Sequence, residues 1–117
     1  MWTLATLLAF AIVEGLLFRT GWYNRYLEPN SSAGLVEGYL AWLAQGRGSG
    51  TEVAVLGDSR VAHGLSAPAA SAASGDKLRF WNLGIAGTLP RDWYYMLRDA
   101  DAGHRRFAAV VLALDQF

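Results

Sequence analysis

Val53 to His63 reads VAVLGDSRVAH, and the serine inside it is the first residue in the chain whose setting suits covalent chemistry. Val53 to Leu56 is a short continuous apolar run, as expected of a strand buried on both faces. A serine just past such a strand, in a Gly57-Asp58-Ser59-Arg60 turn leading into a helix, is held exposed with backbone N–H groups near its Oγ. Acyl transfer needs that combination: a nucleophile, and donors aimed where the oxyanion forms. A second turn of similar character, Gly84-Ile85-Ala86-Gly87-Thr88, follows the strand candidate Arg79-Phe80-Trp81-Asn82-Leu83. Gly87 presents a backbone N–H with no side chain to block approach. Asp58 is expected to brace its turn through backbone hydrogen bonds. Arg60 either meets an anionic substrate group or pairs with a carboxylate.

Rival arrangements are weaker. His63 lies four residues after Ser59 and shares its face if the turn continues as helix, but a base on the same short helix has little freedom to reach Oγ. Asp101-Ala102-Gly103-His104 has the spacing of an acid–base pair, yet it falls at the end of a helix that runs back to the amino edge of the sheet, away from Ser59. Gly46 to Gly50 mimics part of a nucleotide loop but precedes a strand and has no lysine for phosphates. Asp58 and Asp115 stand at the ends of successive strands without the further ligands of a metal centre. No metal or cofactor is expected.

The elements that must position Ser59 and Gly87 follow from periodicity. Pro90 to Ala102 predicts a helix, with Pro90 in its first turn, Trp93, Met96, Leu97 and Ala100 on one face, and Gly103 as its stop. Ala108 to Leu114 predicts a third buried strand. Ala67 to Ser74 is rich in small residues and reads as a loose connection or a helix of low specificity. Strand, loop and helix, strand, helix, strand implies a parallel sheet with right-handed crossovers. Binding sites in such sheets form outside the carboxyl ends of the strands, where the three turns after Leu56, Leu83 and Leu114 meet.

Ahead of this unit, Glu28-Pro29-Asn30-Ser31-Ser32 is a breaker and cap cluster, and Ser31 or Ser32 is placed to cap a helix starting near Ala33. Leu35, Tyr39, Trp42 and Leu43 recur at helical spacing, widened by Val36 and Leu40. Gly46 to Gly50 then reads as a flexible linker. Residues 2–18 are apolar except for two Thr, one Gly and Glu14, at the short end of the roughly 17–25 residues that span a bilayer. Arg19, Trp22, Tyr23, Arg25 and Tyr26 follow as an interfacial belt. A membrane anchor is the reading adopted. A cleaved signal peptide, with Ala9-Phe10-Ala11 as its small-residue pattern but no basic segment before it, is one alternative, and a buried helix of a larger assembly is another. The expected divisions are 1–27 as anchor and interfacial segment, 28–50 as amphipathic helix and linker, and 51–117 as the globular part.

Bulk composition is less informative. Lys+Arg and Asp+Glu both number 10, which leaves no basic stripe for a nucleic acid. The absence of cysteine excludes disulfides and thiolate metal sites without fixing a compartment.

At the two turns the chain resembles the SGNH (GDSL-type) hydrolase family. Leu56-Gly57-Asp58-Ser59 is similar to that family's first block, and Asn82-Leu83-Gly84-Ile85-Ala86-Gly87 to its second, N-x-x-x-x-G. The resemblance implies an α/β fold with a three-layer, flavodoxin-like parallel sheet, here partial with about three strands. It implies Ser59 as nucleophile and the amides of Ser59 and Gly87 as oxyanion donors, with Asp58, Arg60 and Asn82 supporting them. The family's third block, G-x-N-D, falls where this chain reads Asp115-Gln116-Phe117 and has no Asn. Its last block, D-x-x-H, supplies the base and is expected beyond Phe117. The resemblance therefore spans residues 52–117, the first half of such a domain. On that basis the 117-residue chain alone is expected to be inactive, and its third strand to leave an exposed edge prone to pairing.

An apolar N-terminal segment before the domain also resembles the envelope-anchored branch of the family, which includes proteins of polysaccharide O-acetylation and D-alanyl transfer. That implies a periplasmic or extracellular domain, whereas Arg19 and Arg25 taken alone place it in the cytoplasm. It also implies a glycan or lipid ester as substrate, membrane lipid as surroundings and envelope-assembly proteins as partners. The alternative function is a catalytically idle scaffold or binding domain of the same type.

Overall fold

A computed structural model describes residues 2–46, 50–103 and 105–114. Helix α1 (Trp2–Glu14) runs into a π-helical turn (Gly15–Arg19), and a short 3₁₀ turn (Tyr23–Tyr26) follows. The 18 residues Trp2–Arg19 are long and apolar enough to cross a membrane, and none is buried. A signal sequence meets the same test. Helix α2 (Ser32–Ala44) begins as its cap cluster requires, with the Ser31 hydroxyl accepting from the Gly34 amide.

The remaining elements are β1 (Thr51–Leu56), α3 (Ser59–Gly64), α4 (Ala67–Ala73), β2 (Leu78–Asn82), α5 (Pro90–Ala100) and β3 (Phe107–Leu112). The three strands form one parallel sheet in the order β2-β1-β3. β1 is central, and all four residues of its apolar run Val53–Leu56 are buried, as that run demands, with Glu52 buried beside them. Helix α5 is two residues shorter than its sequence pattern, because Asp101 turns away to accept the amides of Arg105, Arg106 and Phe107 at the entry to β3.

The core sits between the sheet and two helices. Ala54 and Leu56 of β1, Trp81 of β2, and Leu83 and Ile85 beyond it pack against Leu43 of α2 and Trp93 and Met96 of α5. The small-residue segment Ala67–Ala73 is a helix with a defined task. Ser71 and Ser74, one turn apart, face the β2 backbone: their hydroxyls accept the Phe80 and Leu78 amides, and Ser74 Oγ donates to the Leu78 carbonyl. Small side chains allow this close approach, and the serines occupy the free edge that β2 otherwise presents.

β3 departs from the expectation of a buried strand. Ala108 through Leu112 are exposed, Val111 by 45% and Leu112 by 51%. The core is centred on β1 and β2, and β3 adds only Phe107 to its border. An apolar sequence fixes that a strand forms, not which side of a sheet receives helices.

Candidate active site

The carboxyl rim of the sheet is where the site assembles. Two backbone hydrogen bonds continue the β1–β2 pairing past the strands: Leu83 N–H donates to the Val55 carbonyl and Ile85 N–H to that of Gly57. The two glycine-containing turns therefore stand side by side on one rim. Asp58 is still extended (φ −87°, ψ −154°) and Ser59 opens α3, so the nucleophile candidate occupies a sharp strand-to-helix bend. Ser59 is exposed, and among the described residues its hydroxyl carries no hydrogen bond.

Asp58 and Arg60 pair with each other. Asp58 Oδ1 accepts the Arg60 backbone amide at 2.9 Å and Nε at 3.2 Å, and Oδ2 accepts Nη2 at 2.8 Å. Arg60 is thus paired with a carboxylate, one of the roles open to it. The Arg60 guanidinium, and then its amide, hold the Asp58 carboxyl below the ordinary carboxylate range. With a lowered folded-state pKa, the brace is complete above about pH 4 and is lost as pH falls through the lower folded value. The Arg60 amide signal in an NMR titration is expected to move with a midpoint clearly below the free-aspartate value of about 3.9. A midpoint at or above that value contradicts the brace.

Asn82 ends β2 and ties it to α3. Its Nδ2 donates to the Val61 and Leu65 carbonyls at 2.9 Å, while Oδ1 accepts the Gly84 amide at 3.0 Å. The Val61 carbonyl already accepts the Leu65 N–H, and the Asn82 side-chain amide, with donors and an acceptor, adds to that bond and meets the Leu65 carbonyl just past the helix. Asn82 thus supports the site by fixing the helix that begins at Ser59. Gly84 permits this junction, since a Cβ there would overlap the Ala62 amide nitrogen. Asn82→Ala is expected to cost about 1–3 kcal/mol, the effect of losing the bonds to the part-buried Val61 and Leu65 carbonyls and the Gly84 amide, with Asn82→Asp similar because it keeps only the acceptor. Urea midpoints of the variants check this, and a shift within error of zero refutes it.

The second turn closes between Ile85 and Thr88. The Thr88 amide and hydroxyl both donate to the Ile85 carbonyl, and Trp93 Nε1 donates to Thr88 Oγ1 at 2.8 Å. Gly87, third in this turn, has φ +74°, the value that a type II turn needs and that side chains resist. Residues next to both turns line one cavity of about 370 Å³: Asp58 and Arg60 flanking Ser59, Thr88 and Leu89 following Gly87, then Pro90, Trp93 and Leu114. Cavities of similar volume lie elsewhere, one of about 380 Å³ beside Tyr23 and Tyr95, so size does not single this one out. Its place between the residues flanking Ser59 and those following Gly87 does.

Of the other candidates, His63 is exposed on α3 and carries no hydrogen bond to Ser59 among the described residues. His104 and Asp115-Gln116-Phe117 lie outside the described residues, as do Arg47 to Ser49 of the linker. No cluster of metal-ligating side chains occurs among the described residues. Sequence reasoning missed Ser32, Thr88 and the Trp93 indole as groups that hold the second turn. The hydroxyls at 32 and 88 were visible, but nothing local shows which carbonyl each reaches. Compared with protein-family models, curated proteins and solved structures, the chain has no match.

Proposed function

We propose that this chain carries the nucleophile and oxyanion turns of an SGNH-type serine esterase or O-acyltransferase, acting on glycan or lipid esters at a cell envelope. The observation that supports it most directly is a cavity at the carboxyl rim, lined from one side by the neighbours of Ser59 and from the other by the residues after Gly87. Ser59 Oγ attacks the acyl carbon and gives its proton to a base. The amides of Ser59 and Gly87 stabilise the oxyanion, and collapse expels the alkoxide, which takes that proton. Water or a sugar hydroxyl then accepts the acyl group. The apolar run Trp2–Arg19 anchors the domain to the membrane, on the periplasmic or extracellular side, within reach of envelope assembly partners.

An alkyl fluorophosphonate applied to the intact protein in membranes tests the proposal. The expected result is one covalent adduct, mapped to Ser59 by mass spectrometry. An intact, folded protein that takes up no label overturns it and leaves the scaffold function.

A further inference from the structure

We infer that Ser32 is a positioning residue for the Gly87 amide, and that helix α2, which follows the apolar N-terminal segment, thereby sets the oxyanion turn. This rests on the assignment of Gly87 as an oxyanion donor. The Ser32 hydroxyl donates to the Ala86 carbonyl at 3.1 Å, across 54 residues of sequence. The carbonyl of Ala86 and the N–H of Gly87 belong to one peptide unit. That unit is planar and trans, so a bond fixing the carbonyl toward α2 fixes the N–H on the opposite side.

The same peptide is the movable part of the turn. Ala86 and Gly87 are the two central residues between Ile85 and Thr88, and type I and type II turns differ mainly by rotation of the peptide between them. The φ of +74° at Gly87 is the type II state. Rotation to type I keeps the Ile85–Thr88 closure but turns the Gly87 N–H to the other side. Thr88 and Trp93 hold the ends of the turn, through bonds to the Ile85 carbonyl and the Thr88 hydroxyl, and place no restraint on its central peptide. Among the described residues, Ser32 is the group that does. Its neighbour Ser31 has the separate task of capping α2, accepting from Gly34 N–H at 3.0 Å.

This division of labour gives a clean comparison. In the intact protein, Ser32→Ala is expected to shift the Gly87 amide resonance and broaden it by exchange between the two turn states. Ser31→Ala should lower helix stability and leave that resonance in place. With a short acyl ester as substrate, Ser32→Ala is expected to lower kcat about fivefold, the factor carried by one hydrogen bond, with KM unchanged. Ser32→Thr, which keeps the hydroxyl, should restore kcat. A Gly87 resonance that ignores Ser32→Ala, or equal effects at positions 31 and 32, overturns the inference. The underlying function is tested separately: ester cleavage that survives Ser59→Ala sinks that assignment, whereas the resonance of Gly87 still reports on Ser32.

Discussion

Arg106→Ala is expected to remove about 3–5 kcal/mol of stability, the scale of breaking a buried ion pair. Among the described residues, Arg106 and Glu52 form the most enclosed ion pair, 9% and 3% exposed, with Nε and Oε2 3.0 Å apart. The guanidinium also donates to the Leu43 and Gly46 carbonyls at the end of α2 and lies over the Trp81 ring at 5.2 Å. One side chain on the approach to β3 therefore ties the start of β1, the end of α2 and the face of β2. Small domains have only about 5–15 kcal/mol in total, so the variant should unfold at much lower denaturant. Arg106→Lys should recover little, because a point charge cannot serve three acceptors set around a planar fork. Replacing both partners by apolar residues of similar volume should cost less than either single change. Guanidinium unfolding followed by tryptophan fluorescence measures each variant. A loss below about 1 kcal/mol for Arg106→Ala, the scale of an exposed pair, would show that the pair is not desolvated.

Ser59→Ala carries the largest expected effect on activity. Loss of a serine nucleophile leaves only binding and oxyanion stabilisation, and the rate should fall by at least about 10⁴-fold in the intact protein. Stability should hardly change, because the Ser59 side chain is exposed and lies outside the core. That contrast separates a chemical role from a structural one, since Asn82→Ala is expected to weaken the fold without removing the nucleophile. Activity in Ser59→Ala within tenfold of the parent would mean that another group attacks the ester. Ser59→Cys supplies a second check: it keeps a nucleophile in place, and its thiol should take up an alkylating probe where the alanine variant does not.

Much of the scaffold was legible in the chain because its cues are local. The apolar run Val53–Leu56, the break at Gly57 and the cap at Asp58 together specify strand, bend and helix within a dozen residues. Pro90 and the spacing of Trp93, Met96 and Leu97 did the same for α5. Parallel strands joined by helices then bring the turns after β1 and β2 to one rim. The backbone bonds from Leu83 to Val55 and from Ile85 to Gly57 agree with that expectation.

Other features depend on the assembled sheet. The exposure of β3 follows from which strands α2 and α5 cover, and composition is silent on that. Glu52 stands alone in an apolar strand, which signals that a partner must exist, but Arg106 is 54 residues away and nothing in the intervening sequence selects it over other cations. The pair Ser31-Ser32 is the sharpest case. Sequence alone determined that a serine caps α2, since a free helix amide three residues on needs an acceptor. Only the tertiary structure decided that Ser31 takes that task and Ser32 reaches Ala86, because a hydroxyl's partner is set by which backbone the fold brings within about 3 Å of it.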